Sequence, residues 1–252
     1  MRILIFSILV ASSLSAFAKP KYGPNATLLS KSHEYVNTEK APDYWALSPY
    51  YLPQQNGKSC SVASVAMVLN AARINMELTS DDKLATQDDL LKKVNDKKWS
   101  DAVDMGQPGG GVVLDELKPI VEESLKAYGL KNYTVTTYHM DNSKAARDQL
   151  HKDLLENEKS ANDFIIINFV QGAYTGDADV GHISPIGAYD KKKGRVLVMD
   201  VDREWYEPYW VSESALAGGM ATQDKISGHN RGYIYIKLSN QLRGMVKKNS
   251  AP

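Results

Sequence analysis

The chain has 252 residues, with 30 basic and 30 acidic side chains, so it carries no net charge when its histidines are neutral. That balance supplies no clustered basic face for nucleic acid, which excludes a polyanion-binding role. A single cysteine excludes an intramolecular disulfide, so the thiol is either a buried packing group or a chemical one.

The N-terminus places one basic residue, Arg2, before an apolar run that closes on Ala16-Phe17-Ala18, the small-x-small pattern that a signal peptidase cuts after. The run is shorter than the about 20 residues that span a bilayer comfortably. The expectation is a signal peptide over residues 1–18, export to the periplasm or beyond, and no membrane contact after cleavage. Cleavage removes Arg2 and no acid, leaving 29 basic against 30 acidic residues. About 230 residues then remain, enough for one catalytic domain over 19–238.

Residues 19–56 are rich in Pro, Tyr, Ser and Asn without a sustained period and read as an irregular arm. Residues 59–74 place Val62, Val65, Ala66 and Leu69 at helical spacing, and Ala63, Met67 and Val68 make the other faces apolar as well. A helix apolar all round is a buried helix. Ser59 stands at the N-cap position, which sets Cys60 in the first turn. Further helices are expected at 87–94, 113–128 and 143–158. From 163 onward the texture changes to β-branched and aromatic runs at 164–170, 183–189, 195–201 and 232–238, read as a mostly antiparallel sheet because 190–194 is hairpin-length. Helices followed by strands define an α+β domain. The residues from 239 to 252 form a polar tail.

Unsatisfied N–H groups and aligned peptide dipoles at a helix N-terminus favour a thiolate, which makes Cys60 a candidate nucleophile. His182 begins the 183–189 strand behind Gly181, which keeps the approach open. Asp200 ends the next strand. In a hairpin the start of one strand lies beside the end of the other, so His182 and Asp200 become neighbours, and an aspartate beside an imidazole orients the ring and stabilises its cation. Gln54, six residues before Cys60, is the candidate oxyanion donor together with the Cys60 N–H, and Gln55 competes for the role.

These residues fall in three ordered blocks: Q-x-x-x-x-x-C-x-x-A-S-x-x-M-V-L-N from Gln54, G-H-I-S-P-I-G-A-Y from Gly181, and D-V-x-R-x-x-Y-x-P-x-W-V from Asp200. Together they resemble the catalytic domain of phytochelatin synthases, over about residues 50–238. Gly109 to Leu117, GGGVVLDEL, resembles a family segment near the substrate site. The resemblance implies a papain-like fold in which Cys60 attacks glutathione, releases glycine and holds a γ-glutamylcysteinyl thioester that passes to glutathione, a phytochelatin or water. It assigns His182 as base and acid, Asp200 as the orienting acid and Gln54 as oxyanion donor. Arg203, Tyr206 and Gly181 fall at substrate-binding positions. It implies no tightly bound cofactor, with cadmium or zinc arriving as a metal–glutathione thiolate substrate, and a role in metal detoxification or glutathione turnover.

Two departures stand out. Ser61 replaces the glycine that usually follows the nucleophile and is expected to crowd the acyl site. The Cys-rich C-terminal region of the eukaryotic members is expected to be absent, and with it a metal-sensing module. Three rival readings remain open. A metal enzyme is disfavoured because no His-Glu-x-x-His or Cys-x-x-Cys occurs and His33, His139, His151 and His229 are scattered along the chain. A leader-peptide or cell-wall thiol peptidase shares the Cys, His, Asp order but lacks the third block. A catalytically dead peptide-binding protein would lack one of the three.

Overall fold

The computed structural model describes residues 20–176 and 179–239. The expected signal peptide at 1–18, and the expected tail apart from Ser239, lie outside the described residues. In chain order the elements are β1 (Ala26–Leu28), α1 (Glu34–Thr38), α2 (Pro42–Leu47), α3 (Cys60–Ala72), α4 (Gln87–Val94), α5 (Lys97–Val103), α6 (Leu114–Ala127), β2 (Tyr133–His139), α7 (Lys144–Asn157), β3 (Asp163–Val170), β4 (Gly181–Asp190), β5 (Arg195–Val198), β6 (Tyr209–Ser212), α8 (Glu213–Met220) and β7 (Gly232–Leu238). The seven strands form one antiparallel sheet in the order β1-β6-β5-β4-β3-β7-β2. The domain is therefore α+β, as expected.

Strand β3, buried at all eight positions, separates two cores. Phe164 and Ile166 enter one, with α3 and α6, while Ile165, Ile167 and Phe169 enter the other, with α7 and α8. The period of two thus serves both faces of the sheet, and the run reads as continuously apolar because both faces are covered. Every residue of α3 is buried, and the alanines at 63, 66, 71 and 72 give it a narrow profile against the sheet. Strand β4 changes phase part-way: Ile183 belongs to the first core, Ile186 to the second, and Ala188 again to the first. The register shift between Ile186 and Ala188 is a β-bulge at Gly187, where a Cβ would lie 2.8 Å from Met199 Cγ.

Several elements differ from expectation. The arm at 20–56 is ordered: it holds β1, α1 and α2, whose three to six residues are too few to show a period. Trp210 Nε1 donates to the Ser32 carbonyl at 2.8 Å, binding the arm to the sheet. The strand expected at 195–201 ends at Val198, although the Met199 N–H still donates to the Pro185 carbonyl at 2.9 Å. Residues 97–103, 133–139, 209–212 and 213–220 form α5, β2, β6 and α8 without an expected element at those places. No helix among the described residues is long and apolar enough to cross a membrane.

Candidate active site

The loop before α3 is built to hold Cys60 still. Asn56 donates through Nδ2 to the Val103 carbonyl at 3.2 Å, and its Oδ1 accepts from the Lys58 N–H at 2.8 Å. Gly111, at φ +91°, passes so close that a Cβ would lie 3.2 Å from the Lys58 carbonyl oxygen. Ser59 occupies the N-cap position but does not cap the helix. Its hydroxyl instead accepts from the Asn56 N–H and donates to the Asn56 carbonyl. The first-turn N–H groups of α3 are thereby left without a capping side chain, and they lie where charge on a Cys60 adduct would form.

Two buried hydroxyls fasten the three chemical groups together. Ser64, one turn into α3, donates to the Ile183 carbonyl at 3.0 Å. Ser184 accepts from the Val201 N–H at 3.3 Å. The nucleophile helix, the strand of His182 and the segment of Asp200 are thus tied at neighbouring residues. Cys60 is 8% exposed, His182 4% and Asp200 not at all. His182 Nε2 meets Asp200 Oδ1 at 2.8 Å, and Cys60 lies close enough to the ring to act on its charge. Asp200 is itself saturated: Oδ1 also accepts from the Asp202 N–H at 2.9 Å, while Oδ2 accepts from the Tyr209 hydroxyl at 2.7 Å and from Gln171 Nε2 at 3.5 Å.

Burial alone would neutralise both groups, but their mutual attraction outweighs it. The His182 ring titrates well above the ordinary imidazole range, because the Asp200 charge and hydrogen bond and the Cys60 contact overcome desolvation. Asp200 titrates below the usual carboxylate range, where the His182 charge and the donors from His182, Asp202 and Tyr209 overcome the same penalty. The arrangement is a buried imidazolium and carboxylate pair with Cys60 beside the ring.

A cleft of about 1060 Å³ opens above Cys60 and His182. Gln54 lines it, and its backbone N–H donates to the Val201 carbonyl at 2.8 Å, one residue past Asp200. Gln55 does not share that task, since its Nε2 is held by Asp88 Oδ1 at 3.0 Å. Gly181 lines the cleft where a Cβ would lie 3.3 Å from Arg231 Nη2. Arg203 stands outside: its guanidinium lies 4.2 Å over the Tyr51 ring and donates to the Tyr51 carbonyl at 3.3 Å. Tyr206 is 5% exposed in the second core, edge-on to Tyr22 and Tyr209, and does not line the cleft. Ser61 does not crowd the site. It is fully buried, and its hydroxyl accepts from Trp99 Nε1 at 3.0 Å on the side of α5.

Sequence reading missed Asn168, Asp224 and Arg231, all on the cleft wall. Asn168 Oδ1 and Arg231 Nε are buried without a hydrogen-bond partner, as is Gln54 Oε1. Arg231 pairs through Nη2 with Asp224 Oδ2 at 3.0 Å, and both residues are under 10% exposed. Three orphaned polar atoms and a buried ion pair on one cleft describe an incomplete hydrogen-bond set of the kind that a polar ligand completes. Their only sequence signal was a polar residue inside an apolar strand, Asn168, and a charged residue directly before another, Arg231.

A domain that sets a buried cysteine at a helix N-terminus against a histidine and a buried aspartate, under a polar cleft, has the build of a cysteine-nucleophile domain. The family model described as phytochelatin synthase matches residues 24–233. The chain belongs to that family. It is 25% identical over 224 residues to glutathione gamma-glutamylcysteinyltransferase 1 of Lotus japonicus, covering 84% of this chain and 39% of that protein. It is also 25% identical over 201 residues to glutathione gamma-glutamylcysteinyltransferase of Schizosaccharomyces pombe, covering 77% of this chain and 43% of that one. The enzyme 1 of the same name from Arabidopsis thaliana matches at 25% over 212 residues, covering 81% and 39%. The chain spans about two fifths of the length of these curated relatives.

Proposed function

We propose that this chain is a papain-like thiol acyltransferase and hydrolase acting on glutathione. The Cys60 thiolate attacks the carbonyl carbon of the cysteinyl-glycine bond, and the Cys60 N–H with the Gln54 side chain receives the oxyanion. The His182 imidazolium protonates the departing glycine amine, leaving a γ-glutamylcysteinyl thioester on Sγ. His182, now neutral, takes a proton from the incoming amine of a second glutathione or from water as that nucleophile bonds to the acyl carbon and the Cys60 thiolate is expelled, so the acyl group ends in a phytochelatin or in γ-glutamylcysteine. Asp200 keeps the ring oriented and stabilises its cationic form. No tightly bound cofactor enters this scheme, and cadmium or zinc enters as a metal–glutathione thiolate substrate. Arg203 and Tyr206 contribute indirectly, the first from the rim and the second by packing.

The observation that carries the reading is that the Asp224–Arg231 pair shares one cleft with Cys60 and His182, behind which Asp200 is buried. A γ-glutamyl group ends in an α-ammonium and an α-carboxylate, which match a carboxylate and a guanidinium respectively. Bidentate pairing with Arg231 would employ its unpartnered Nε. Export of the mature chain from Lys19 belongs to the same reading, and N-terminal sequencing of protein recovered from the periplasm tests it.

Mass analysis of products from purified protein with glutathione, with and without cadmium or zinc, tests the activity. The expected result is glycine and γ-glutamylcysteine as main products, because the open cleft admits water to the thioester. Phytochelatin-2 is expected as a minor product that grows with glutathione and metal concentration. Cys60→Ala should lower both by on the order of 10^3 or more. Absence of glycine under every condition, with cleavage of a peptide or muropeptide instead, would replace this reading with a thiol peptidase.

A further inference from the structure

Two histidines that lie far apart in the chain meet in the fold. His139 ends β2 and His229 sits on the loop before β7, with ring centroids 5.4 Å apart and nearly perpendicular. Asp115, in the first turn of α6, lies between them: its Oδ1 is 2.9 Å from His139 Nε2 and its Oδ2 is 2.8 Å from His229 Nδ1. One ligand atom from each residue falls within 4.8 Å of the other two. The expectation that these histidines are scattered is therefore corrected for this pair, because their separation of 90 residues is closed by the antiparallel pairing of β2 with β7, where His139 faces Gly232.

We infer that Asp115, His139 and His229 bind one divalent transition ion of the zinc class. The donor set is two imidazole nitrogens and one carboxylate, the combination that borderline cations take with open positions left for water. The other ring nitrogen of His139, Nδ1, lies 2.6 Å from the Asn230 carbonyl, which can only accept, so Nδ1 carries a proton. That tautomer turns the Nε2 lone pair toward Asp115. A lone pair and a carboxylate oxygen 2.9 Å apart require a cation between them, either a proton or a metal ion. Orientation of a ligating histidine by a backbone carbonyl is the usual outer-sphere support of such sites. Zinc–ligand bonds of about 2.0–2.1 Å place tetrahedral ligand atoms about 3.3 Å apart, so each histidine nitrogen has to part from its Asp115 oxygen by a few tenths of an ångström, while the two imidazole nitrogens already lie within 4.8 Å of each other. The side chains are 37%, 41% and 65% exposed for His139, Asp115 and His229, which leaves an entry path.

The site has a structural reach beyond its own residues. His229 accepts through its carbonyl from the Asp224 N–H at 2.8 Å, and Asp224 pairs with Arg231 on the cleft wall. Asp115 follows Val112 and Val113, which line the opposite part of the same cleft. An ion held by Asp115 and His229 would thus clamp the 222–231 loop to the start of α6 and narrow the freedom of the cleft mouth.

Zinc titration followed by calorimetry tests this on untagged, full-length protein carrying Cys60→Ser, which removes the thiol as a competing ligand and makes the outcome independent of any reaction with glutathione. One equivalent of zinc is expected to bind with micromolar affinity. His229→Gln, on an exposed loop, should weaken that affinity at least 30-fold while leaving the melting temperature of the metal-free protein unchanged. Asp115→Asn should do the same. Zinc should slow hydrogen exchange across residues 222–231 in the His229-containing protein and not in His229→Gln. Binding of equal stoichiometry and affinity in both variants, or no binding at 1 mM zinc, overturns the assignment.

Discussion

Asp200→Asn separates the charge of the site from its geometry. The N–H donors from His182 and Asp202 both reach Oδ1, while the Tyr209 hydroxyl and, at 3.5 Å, Gln171 Nε2 reach Oδ2. An asparagine therefore keeps its carbonyl oxygen toward His182 and Asp202 and turns its amide nitrogen toward Tyr209, whose hydroxyl rotates to accept, and toward Gln171, whose long contact is given up or reversed by an amide flip. Ring orientation survives and the negative charge does not. Unit charges about 4 Å apart at an effective dielectric of about 20 interact by about 4 kcal/mol. With the hydrogen bond retained, about 3 kcal/mol of imidazolium stabilisation is lost, or about 2 pH units. Because Asp200 holds the His182 ring well above its ordinary value, its neutralisation lowers that value. The alkaline limb of the pH profile for glycine release, where the imidazolium loses the proton it gives to the leaving amine, should move down by about 2 units. Above the wild-type limb the rate should fall by on the order of 10^2, while well below the shifted limb it should stay within about tenfold of wild type. A uniform loss with the limb unmoved would refute the electrostatic role, and an unchanged profile would remove Asp200 from the machinery.

Arg231→Gln should raise the KM for glutathione by about 10- to 100-fold, the worth of a charge-assisted hydrogen-bond pair, and change kcat much less. Arg231→Lys should restore little, since an ammonium cannot pair bidentately; steady-state kinetics on both variants decide this. Ser61→Ala should cost about 1–3 kcal/mol by leaving the Trp99 N–H unpartnered in the core, and chemical denaturation should detect this while kcat/KM stays at the wild-type level. Glu158 carries its own pH signature: burial pushes its carboxyl up to about 7 from 4.5, against the donors from Tyr189 and Tyr35. The folded state thus keeps a proton that the unfolded chain releases, and stability should decline as pH rises from about 4.5 through about 7. In thermal melts across that range Glu158→Gln should remove up to about 2 kcal/mol of the decline. Asp43, also raised by burial, should leave a residual slope in the same direction.

The elements that the sequence revealed were those whose pattern is local. Helix α4 falls on the expected 87–94, and α3, α6 and α7 fall within their expected ranges, because each has either an apolar period or a capping residue such as Thr86 or Ser143. Strand β6 has only four residues, and α8 carries two glycines in eight, so neither period nor propensity marks them. The Cys60, His182 and Asp200 constellation was readable because its spacing follows from a single hairpin and a helix start. Asn168, Asp224 and Arg231 were not, since they converge through the non-local pairing of β3 with β4 and β7. Ser61 misled for a related reason: side-chain direction at the second residue of a helix depends on what packs beside it, and here that is Trp99 from a helix that had not been expected.

The bulge at Gly187 gives β4 two reading frames. Before it, Ile183 looks toward the nucleophile helix; after it, Ala188 does so although the parity has changed, and Tyr189 turns to the other core. The strand therefore works as a gear with one tooth added, so that its catalytic end and its hairpin end each mesh with their own neighbours. Deleting Gly187 would restore an unbroken ladder and at the same time rotate one end out of mesh, putting either the His182 end or the Tyr189 end on the wrong side of the sheet. Length changes at this point are thus more damaging than most substitutions nearby, and the strand's residue count is as much a part of the site as its histidine.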